Sequence, residues 1–168
     1  MVIAADGIHS VARRSIVDDQ PVSSAYVAYR GAVPIELAAE NDIDPSAVQV
    51  YVGPGCHFVQ YALRAGEMFN QVAVFESPKA IAGKDDWDTP DELDAAFEGT
   101  CDEVQKGLPL MWRDRWWRMF DRDPIMNWLN GRVALLGDAA HPPLQHMAQG
   151  AMMALEDCWV LAQHVGRL

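Results

Sequence analysis

The chain has 168 residues, of which 50% are apolar and 22% are charged, an ordinary composition for a soluble globular domain. Asp and Glu number 24 against 13 Lys and Arg, and the formal charge of −11 disfavours nucleic acid or an anionic membrane as a partner. The sequence has no apolar run near the roughly 20 residues of a membrane span. Three scattered cysteines without a C-x-x-C spacing predict reduced thiols in a cytoplasmic protein.

The first residues predict a strand followed by a tight turn. Residues 2–5 are apolar, Asp6-Gly7 is a turn pair, and Ser10 is a suitable helix N-cap. The charge at Asp6 also comes too early for the apolar core of an export signal. A strand at the very start has no earlier strand to pair with, so we expect that an N-terminal part is missing.

A sheet is predicted for residues 23–77. Four runs there are rich in β-branched and aromatic residues and are separated by turn residues: 25–29, 48–52, 57–63 and 68–75. A turn at Ala65-Gly66 can close a hairpin, which would pair Leu63 with Met68 and Tyr61 with Asn70 if the loop has two residues. This part of the chain therefore favours a mostly antiparallel sheet.

Two helices are predicted after the sheet. Thr89 as N-cap, Pro90 and Glu92 begin the first helix, whose apolar side recurs at Leu93, Phe97, Cys101 and Val104. The pair Gly107 and Pro109 would end it. The spacing of Trp112, Trp116 and Phe120 predicts a second helix, which Asp123-Pro124 would stop.

The last part of the sequence predicts a strand, a turn and a long helix. The predicted strand is 132–136, in which four apolar residues follow Arg132. Gly137-Asp138 then turns the chain, and apolar residues keep a helical period from 147 to 165. A carboxylate at the end of a strand, such as Asp138, can accept hydrogen bonds from the sugar hydroxyls of a nucleotide. Gly150 at the helix start would let a ligand approach unpaired backbone amides.

Two motifs at opposite ends of the chain resemble those of the FAD-dependent aromatic hydroxylases, which are single-component flavoprotein monooxygenases. The C-terminal motif resembles G-D-A-A-H-x-x-x-P-x-x-x-Q-G-x-N-x-x-x-E-D and is matched at Gly137, Asp138, Ala139, Ala140, His141, Gln149, Gly150, Glu156 and Asp157. The N-terminal motif resembles G-A-D-G-x-x-S-x-x-R and is matched at Ala5, Asp6, Gly7, Ser10 and Arg13. Because the two motifs lie near opposite ends, the resemblance covers essentially the whole chain.

The resemblance implies a fold and a cofactor site. The fold would be mixed α/β: a partial Rossmann-type FAD-binding domain at residues 1–20 and 126–168, with an inserted, mostly antiparallel substrate domain at 21–125. Asp138, after Gly137, would hold the ribityl or ribose part of FAD. The amides near Gly150, Ala151 and Met152, after Gln149, would face the flavin N1–C2=O edge. Asp6 and Arg13 would contribute to the pyrophosphate side and to docking of NADH or NADPH.

The chain departs from the family motifs at three positions. Ala4 replaces a usual Gly, Met152 replaces a frequent Asn, and Gln145 replaces the Pro that usually packs beside the flavin ring. The H-P-P-L-Q run ending at Gln145 resembles the branch of the family that acts on 3-hydroxybenzoate, as does the stretch from 51 to 71. The reaction implied is hydroxylation of a phenolic acid, with 3-hydroxybenzoate to gentisate as the sharpest expectation.

Three side chains are expected to perform the chemistry. His57 and Tyr61 would share one face of a strand, and Gln145 would approach from the flavin side. His57 is a candidate general base, because imidazole titrates near pH 6.5. Tyr61 and Gln145 would hydrogen-bond the phenol or the carboxylate of the substrate. A sheet histidine and a sheet tyrosine without any catalytic role are the alternative for the first two.

Other readings of the sequence stay open. The G-x-G-x-x-G turn expected before Asp6 is absent from the sequence, so we predict an internal fragment that by itself binds FAD weakly or not at all and is marginally stable. A salicylate- or hydroxynicotinate-type hydroxylase and a non-catalytic remnant are the rivals, and an in-frame G-x-G-x-x-G upstream of Met1 would favour the enzyme. The histidines lack metal-ligand spacing, so no metal is expected. The resemblance leaves a homodimer open for the full-length protein.

Overall fold

A computed structural model describes residues 1–165, which divide into two compact units. The first unit comprises Met1–Ser24 and the described part of Phe120–Leu168, and the second comprises Ala25–Met119. The strands are β1 (Val2–Ala4), β2 (Val22–Pro34), β3 (Gln49–Gly53), β4 (Cys56–Leu63), β5 (Met68–Glu76), β6 (Trp116–Asp121), β7 (Leu129–Asn130) and β8 (Val133–Leu135). The α-helices are α1 (Ile35–Glu40), α2 (Pro78–Ile81), α3 (Pro90–Ala96), α4 (Asp102–Gly107) and α5 (Gly150–Val165).

The first unit is built on a three-stranded sheet in the order β1-β8-β7. β1 and β8 are parallel, with Val2 opposite Val133, and β7 is antiparallel to β8. The two predicted strands at the ends of the sequence are therefore confirmed. A small apolar cluster, which includes Ala4 and Leu135, packs at the end of these strands.

The second unit is built on a five-stranded sheet in the order β3-β4-β5-β2-β6. β4 is antiparallel to both β3 and β5, and β5 is antiparallel to β2. The predicted register is confirmed, since Tyr61 lies opposite Asn70 and Leu63 opposite Met68. The connection has four residues rather than two, because the 3₁₀ turn Arg64–Gly66 occupies it.

One face of this sheet carries the core of the second unit. Phe58, Phe75 and Tyr29 are buried there and pack with side chains of α3 and α4. Phe58 contacts Phe97 edge to face, with ring centroids 5.7 Å apart. The Tyr29 hydroxyl donates to the carbonyl oxygen of Asp88 at 2.6 Å, and burial raises the pKa of this hydroxyl. Aromatic packing thus fixes the helices against the sheet.

Two helix predictions are wrong. The helical period from Leu93 to Val104 belongs to two helices, because the chain leaves α3 at Phe97 and takes a left-handed conformation at Gly99 (φ +71°). Cys101 becomes the exposed N-cap of α4. The segment with Trp116 and Phe120 is strand β6. Aromatic residues have high strand propensity, and the edge of β2 supplies the pairing that an isolated helix would lack.

The structure also adjusts two smaller predictions. The Ser10 hydroxyl does accept a hydrogen bond from the amide of Arg13 at 3.0 Å, but the helix it begins is a short 3₁₀ turn, Ala12–Ser15. The last helix begins at Gly150 rather than at Met147, which lies in the 3₁₀ turn Gln145–Met147. Among residues 1–165, no helix is both long and apolar enough to cross a membrane.

Candidate functional site

The first unit contains a cavity of about 560 Å³ at the end of β8 and the start of α5. This volume lies within the range of small-molecule and cofactor sites. Five of the predicted site residues line it: Gly137, Asp138, Gln145, Gly150 and Ala151. The structure therefore brings together most of the predicted cofactor residues of the C-terminal motif and one predicted catalytic residue.

The wall formed by Gly137 and Asp138 depends on a sharp turn. Gly137 has φ +58°, which favours glycine, and a Cβ there would lie 3.3 Å from the Cβ of Ala154 on α5. The turn continues as the 3₁₀ segment Gly137–Ala139, in which Asp138 is exposed. The turn packs closely on α5, and the exposed Asp138 lines the cavity, where its carboxylate can contact a ligand.

A histidine–aspartate pair fixes this turn to α5. The Asp157 Oδ2 atom accepts the Gly137 amide at 2.9 Å and lies 2.6 Å from Nε2 of His141. The His141 ring packs on Trp128, with centroids 4.8 Å apart. Sequence reasoning gave His141 no role, although the match of both residues to one motif was a signal that they act together.

The other wall is the N-terminus of α5. The Met153 amide donates to the Gln149 carbonyl at 2.9 Å, so helical geometry gives the amides of residues 150–152 no acceptor within the helix. A Cβ at Gly150 would lie 3.4 Å from Cγ of Pro143 and 3.9 Å from Oδ1 of Asp138. The glycine therefore keeps open the gap between these amides and the carboxylate.

The donor set of this cavity fits a flavin nucleotide. Unpaired amides at a helix N-terminus favour a group that carries negative charge, by about 0.3–1 kcal/mol and up to ~2 when partly buried. The Asp138 carboxylate across the gap is an acceptor for hydroxyl groups. A polar carbonyl edge and a polyol chain would satisfy both sides. Gln149 and Met152, the other predicted cofactor residues of this motif, are exposed.

The two predicted residues of the N-terminal motif have structural partners. The Asp6 carboxylate accepts the Ser10 hydroxyl at 2.6 Å and the Val11 amide at 2.7 Å, and the Ser10 bond lowers the pKa of Asp6. The Arg13 side chain has no exposed surface and binds Asp19 at 2.7 Å. It also donates to the carbonyl oxygens of residues 139 and 140. The contact of Asp6 and Arg13 with the pyrophosphate or with a nicotinamide nucleotide stays a prediction. The burial of Arg13 favours a structural role for that residue.

The remaining predicted site residues lie on β4 in the second unit. His57 and Tyr61 are half-buried and share the face opposite to the buried side chains of Phe58 and Gln60. His57 lies opposite Val74 and Tyr61 opposite Asn70 on β5. Gln145 belongs to the first unit, so its convergence with His57 and Tyr61 stays a prediction. Within residues 1–165, no cluster of three or more His, Cys, Asp or Glu side chains could hold a metal ion.

Known proteins that are similar to this chain include FAD-binding proteins. Residues 1–167 match the protein family described as FAD binding domain. The chain is 40% identical over 168 residues to 3-hydroxybenzoate 6-hydroxylase 2 of Aquipseudomonas alcaligenes, an alignment that covers 96% of this chain and 50% of that protein. A solved salicylate hydroxylase substrate complex is 29% identical with a TM-score of 0.77, over 95% of this chain and 44% of that one. Klebsiella pneumoniae HpxO complexed with FAD and uric acid is 29% identical with a TM-score of 0.80, over 97% of this chain and 42% of that one.

The mixed fold and the cavity between the Gly137–Ala139 turn and α5 are those expected of a flavin-binding domain. The chain belongs to the FAD binding domain family, and the resemblance to the flavoprotein aromatic hydroxylases that its two motifs predict is confirmed. The chain spans half or less of the length of the relatives described above.

Proposed function

We propose that the protein carrying this chain is an FAD-dependent monooxygenase that hydroxylates a phenolic aromatic acid. The reductant is NADH or NADPH, and one atom of O₂ enters the ring while the other leaves as water. The specific reaction is 3-hydroxybenzoate to gentisate. The observation that carries this proposal is the cavity in which Asp138 faces the free amides at the start of α5.

In this proposal the first unit binds the cofactor and the second binds the substrate. Asp138 accepts hydrogen bonds from the ribityl or ribose hydroxyls, and the amides of Gly150, Ala151 and Met152 hold the N1–C2=O edge of the ring. When bound, the flavin supplies the activated oxygen for the hydroxylation. The side chains of this chain remove a proton from the substrate and orient it.

His57 is the proposed general base. An aromatic ring is attacked by an electrophilic oxygen more readily as its hydroxyl loses a proton, because the phenolate donates electron density into the ring. His57 takes this proton on a ring nitrogen, and imidazole titrates close enough to neutral pH to do so. Tyr61 and Gln145 orient the acid by hydrogen bonds to its polar ends.

Two observations favour 3-hydroxybenzoate over other phenolic acids. The carboxamide of Gln145 lines the cavity where an apolar ring is usual in the family. The relative at 40% identity is named for 3-hydroxybenzoate. A salicylate-type hydroxylase is the second candidate, since a salicylate hydroxylase shares the fold at 29% identity. The proposal includes a cytoplasmic location and a small aromatic acid, rather than nucleic acid or membrane, as partner.

The test is an assay of substrate-stimulated NADH and NADPH oxidation, with the products identified by chromatography. The protein that carries this chain should form gentisate from 3-hydroxybenzoate faster than it hydroxylates salicylate or 6-hydroxynicotinate. His57→Ala and Tyr61→Phe should each lower the hydroxylation rate or the substrate affinity at least tenfold. Tyr51→Phe, a matched change on the opposite face of the sheet, should leave both unchanged. Product from salicylate alone would establish the second candidate, and no hydroxylated product would favour a non-catalytic remnant.

A further inference from the structure

Asn70 is a buried polar residue on β5 that sequence reasoning left without a role. Its residue exposure is 6%, and its Nδ2 atom has no hydrogen-bond partner among residues 1–165. A buried amide hydrogen without an acceptor is unfavourable, so most such groups are paired in folded proteins. The Nδ2 of Asn70 is therefore a donor that an acceptor group of a ligand can satisfy. The buried Nε2 of Gln71 also lacks a partner among residues 1–165, but Gln71 belongs to the opposite face of the sheet.

The register of the sheet places Asn70 beside the proposed substrate residues. It lies directly opposite Tyr61, and therefore on the face that also carries His57. Directly opposed residues of antiparallel strands have Cβ atoms about 5 Å apart, so that both side chains can reach one small group. Arg30, opposite Val72 on β2, supplies positive charge on the same face. The Asn70 amide, the Tyr61 hydroxyl and the Arg30 guanidinium thus belong to the same face of the sheet.

The distance along β4 distinguishes the two polar ends of a substrate. His57 and Tyr61 are four residues apart, which corresponds to roughly 13 Å between their Cα atoms at about 3.3 Å per residue. Side chains that reach inward from both positions can contact opposite ends of one substituted benzene ring. With His57 at the phenol, the Tyr61 and Asn70 end is left for the acid group.

We propose that Asn70, together with Tyr61, binds the carboxylate of the aromatic acid. The assignment rests on the proposed function, since it needs a phenolic acid on this face. The Asn70 side-chain amide donates an N–H to one carboxylate oxygen, and a half-turn about the Cβ–Cγ bond lets either edge of the amide present that donor. Asn70 is thereby a specificity-determining residue that selects acids over neutral phenols of the same shape.

The experiment compares a charged and a neutral ligand by isothermal titration calorimetry on the FAD-loaded protein that carries this chain. The ligands are 3-hydroxybenzoate and 3-hydroxybenzyl alcohol. Asn70→Leu should weaken binding of the acid about tenfold to a hundredfold, the range for a hydrogen bond to a charged group, and that of the alcohol less than threefold. If the leucine variant does not fold, Asn70→Asp, which keeps the shape of the side chain, replaces it. This variant should also lose more affinity for the acid than for the alcohol.

Gln71→Met is the matched control. Gln71 is the next residue on β5, is fully buried and faces the opposite side of the sheet, so its change removes a buried amide without touching the proposed site. It should leave the affinities for both ligands unchanged. The assignment would be overturned if the Asn70 variants lost the same affinity for the acid as for the alcohol. It would also be overturned if Gln71→Met weakened binding of the acid as much as the Asn70 variants do. Failure of the unaltered protein to bind 3-hydroxybenzoate would instead refute the proposed function, and this assignment with it.

Discussion

Asp157→Ala should loosen the turn that forms one wall of the flavin cavity. The Asp157 Oδ2 atom is shared by the Gly137 amide at 2.9 Å and by Nε2 of His141 at 2.6 Å. Alanine removes this acceptor from both groups at once. Gly137 is buried, so its amide has little access to replacement water.

The expected loss follows from these two bonds. A buried donor left without an acceptor costs about 1–3 kcal/mol. The side chains of His141 and Asp157 are 17% and 16% exposed, so water will recover part of the second bond. We therefore expect the free energy of unfolding to fall by about 2 kcal/mol, which corresponds to a decrease in Tm of roughly 4–8 °C for a chain of this size.

Urea denaturation and flavin fluorescence measure the two consequences separately. The stability loss should appear in the urea midpoint, and the Kd for FAD should rise at least fivefold because Gly137 and Asp138 line the cavity. Glu156→Ala is the control, since Glu156 is the exposed neighbour on the same helix. Asp157→Ala and Glu156→Ala with the same midpoint and the same Kd would refute the role of the pair.

Buried groups in both units allow further predictions about stability. Arg13→Met should lower the free energy of unfolding by about 3 kcal/mol in urea denaturation, because it leaves Asp19 without its principal partner; a loss below about 1 kcal/mol would contradict the ion pair. The Arg13 hydrogen bond lowers the pKa of Asp19, so this stability is present above the unfolded pKa near 3.9 and is lost as the pH falls through the folded pKa. The stability difference between the unaltered chain and Asp19→Asn should shrink below about pH 4, and a difference that grows there would reverse the assigned sign. Gly107→Ala should cost about 1–3 kcal/mol, because its Cβ would lie 2.5 Å from Nε2 of Gln60 and also overlap the Gln71 amide; an unchanged Tm would show that these amides move freely.

The sheet of the second unit could be predicted from the sequence because its signals agree. Alternation in β4 and β5, with a turn pair at Ala65-Gly66, gave the register that places Tyr61 opposite Asn70. A slip by one residue would have moved every apolar side chain to the wrong face. The loop length could not be predicted, since the left-handed conformations of Arg64 and Ala65 are unusual for these residue types.

The helices were harder to predict because helical spacing alone does not show where a helix breaks. Leu93, Phe97 and Val104 all face the core, yet Gly99 separates them into two helices. Trp116 packs on Tyr29 with centroids 5.5 Å apart, but it does so from a strand. Its spacing from Trp112 and Phe120 matches a helix by coincidence, and only the free edge of β2 decides between the two structures.

The cavity could be predicted from its motifs, whereas its supports could not. Asp138 and Gly150 stand at the end of a strand and the start of a helix, which are positions that sequence patterns locate well. The burial of Arg13 and the pairing of His141 with Asp157 depend on contacts between residues that are distant in sequence. The role of Asn70 could not be predicted from the sequence, because it depends on the burial of its unpaired amide and on its position opposite Tyr61.

FAD binding to a Gly150→Val variant tests the central claim most directly. A Cβ at Gly150 meets Pro143 at an ordinary contact distance of 3.4 Å, but the additional methyl groups of valine extend into the gap beside Asp138. Measured by flavin fluorescence in the protein that carries this chain, the Kd for FAD should rise at least tenfold. Ala162→Val, an exposed change of similar size on the same helix, should leave it unchanged. Equal FAD affinity in both variants would show that the flavin does not lie in this cavity.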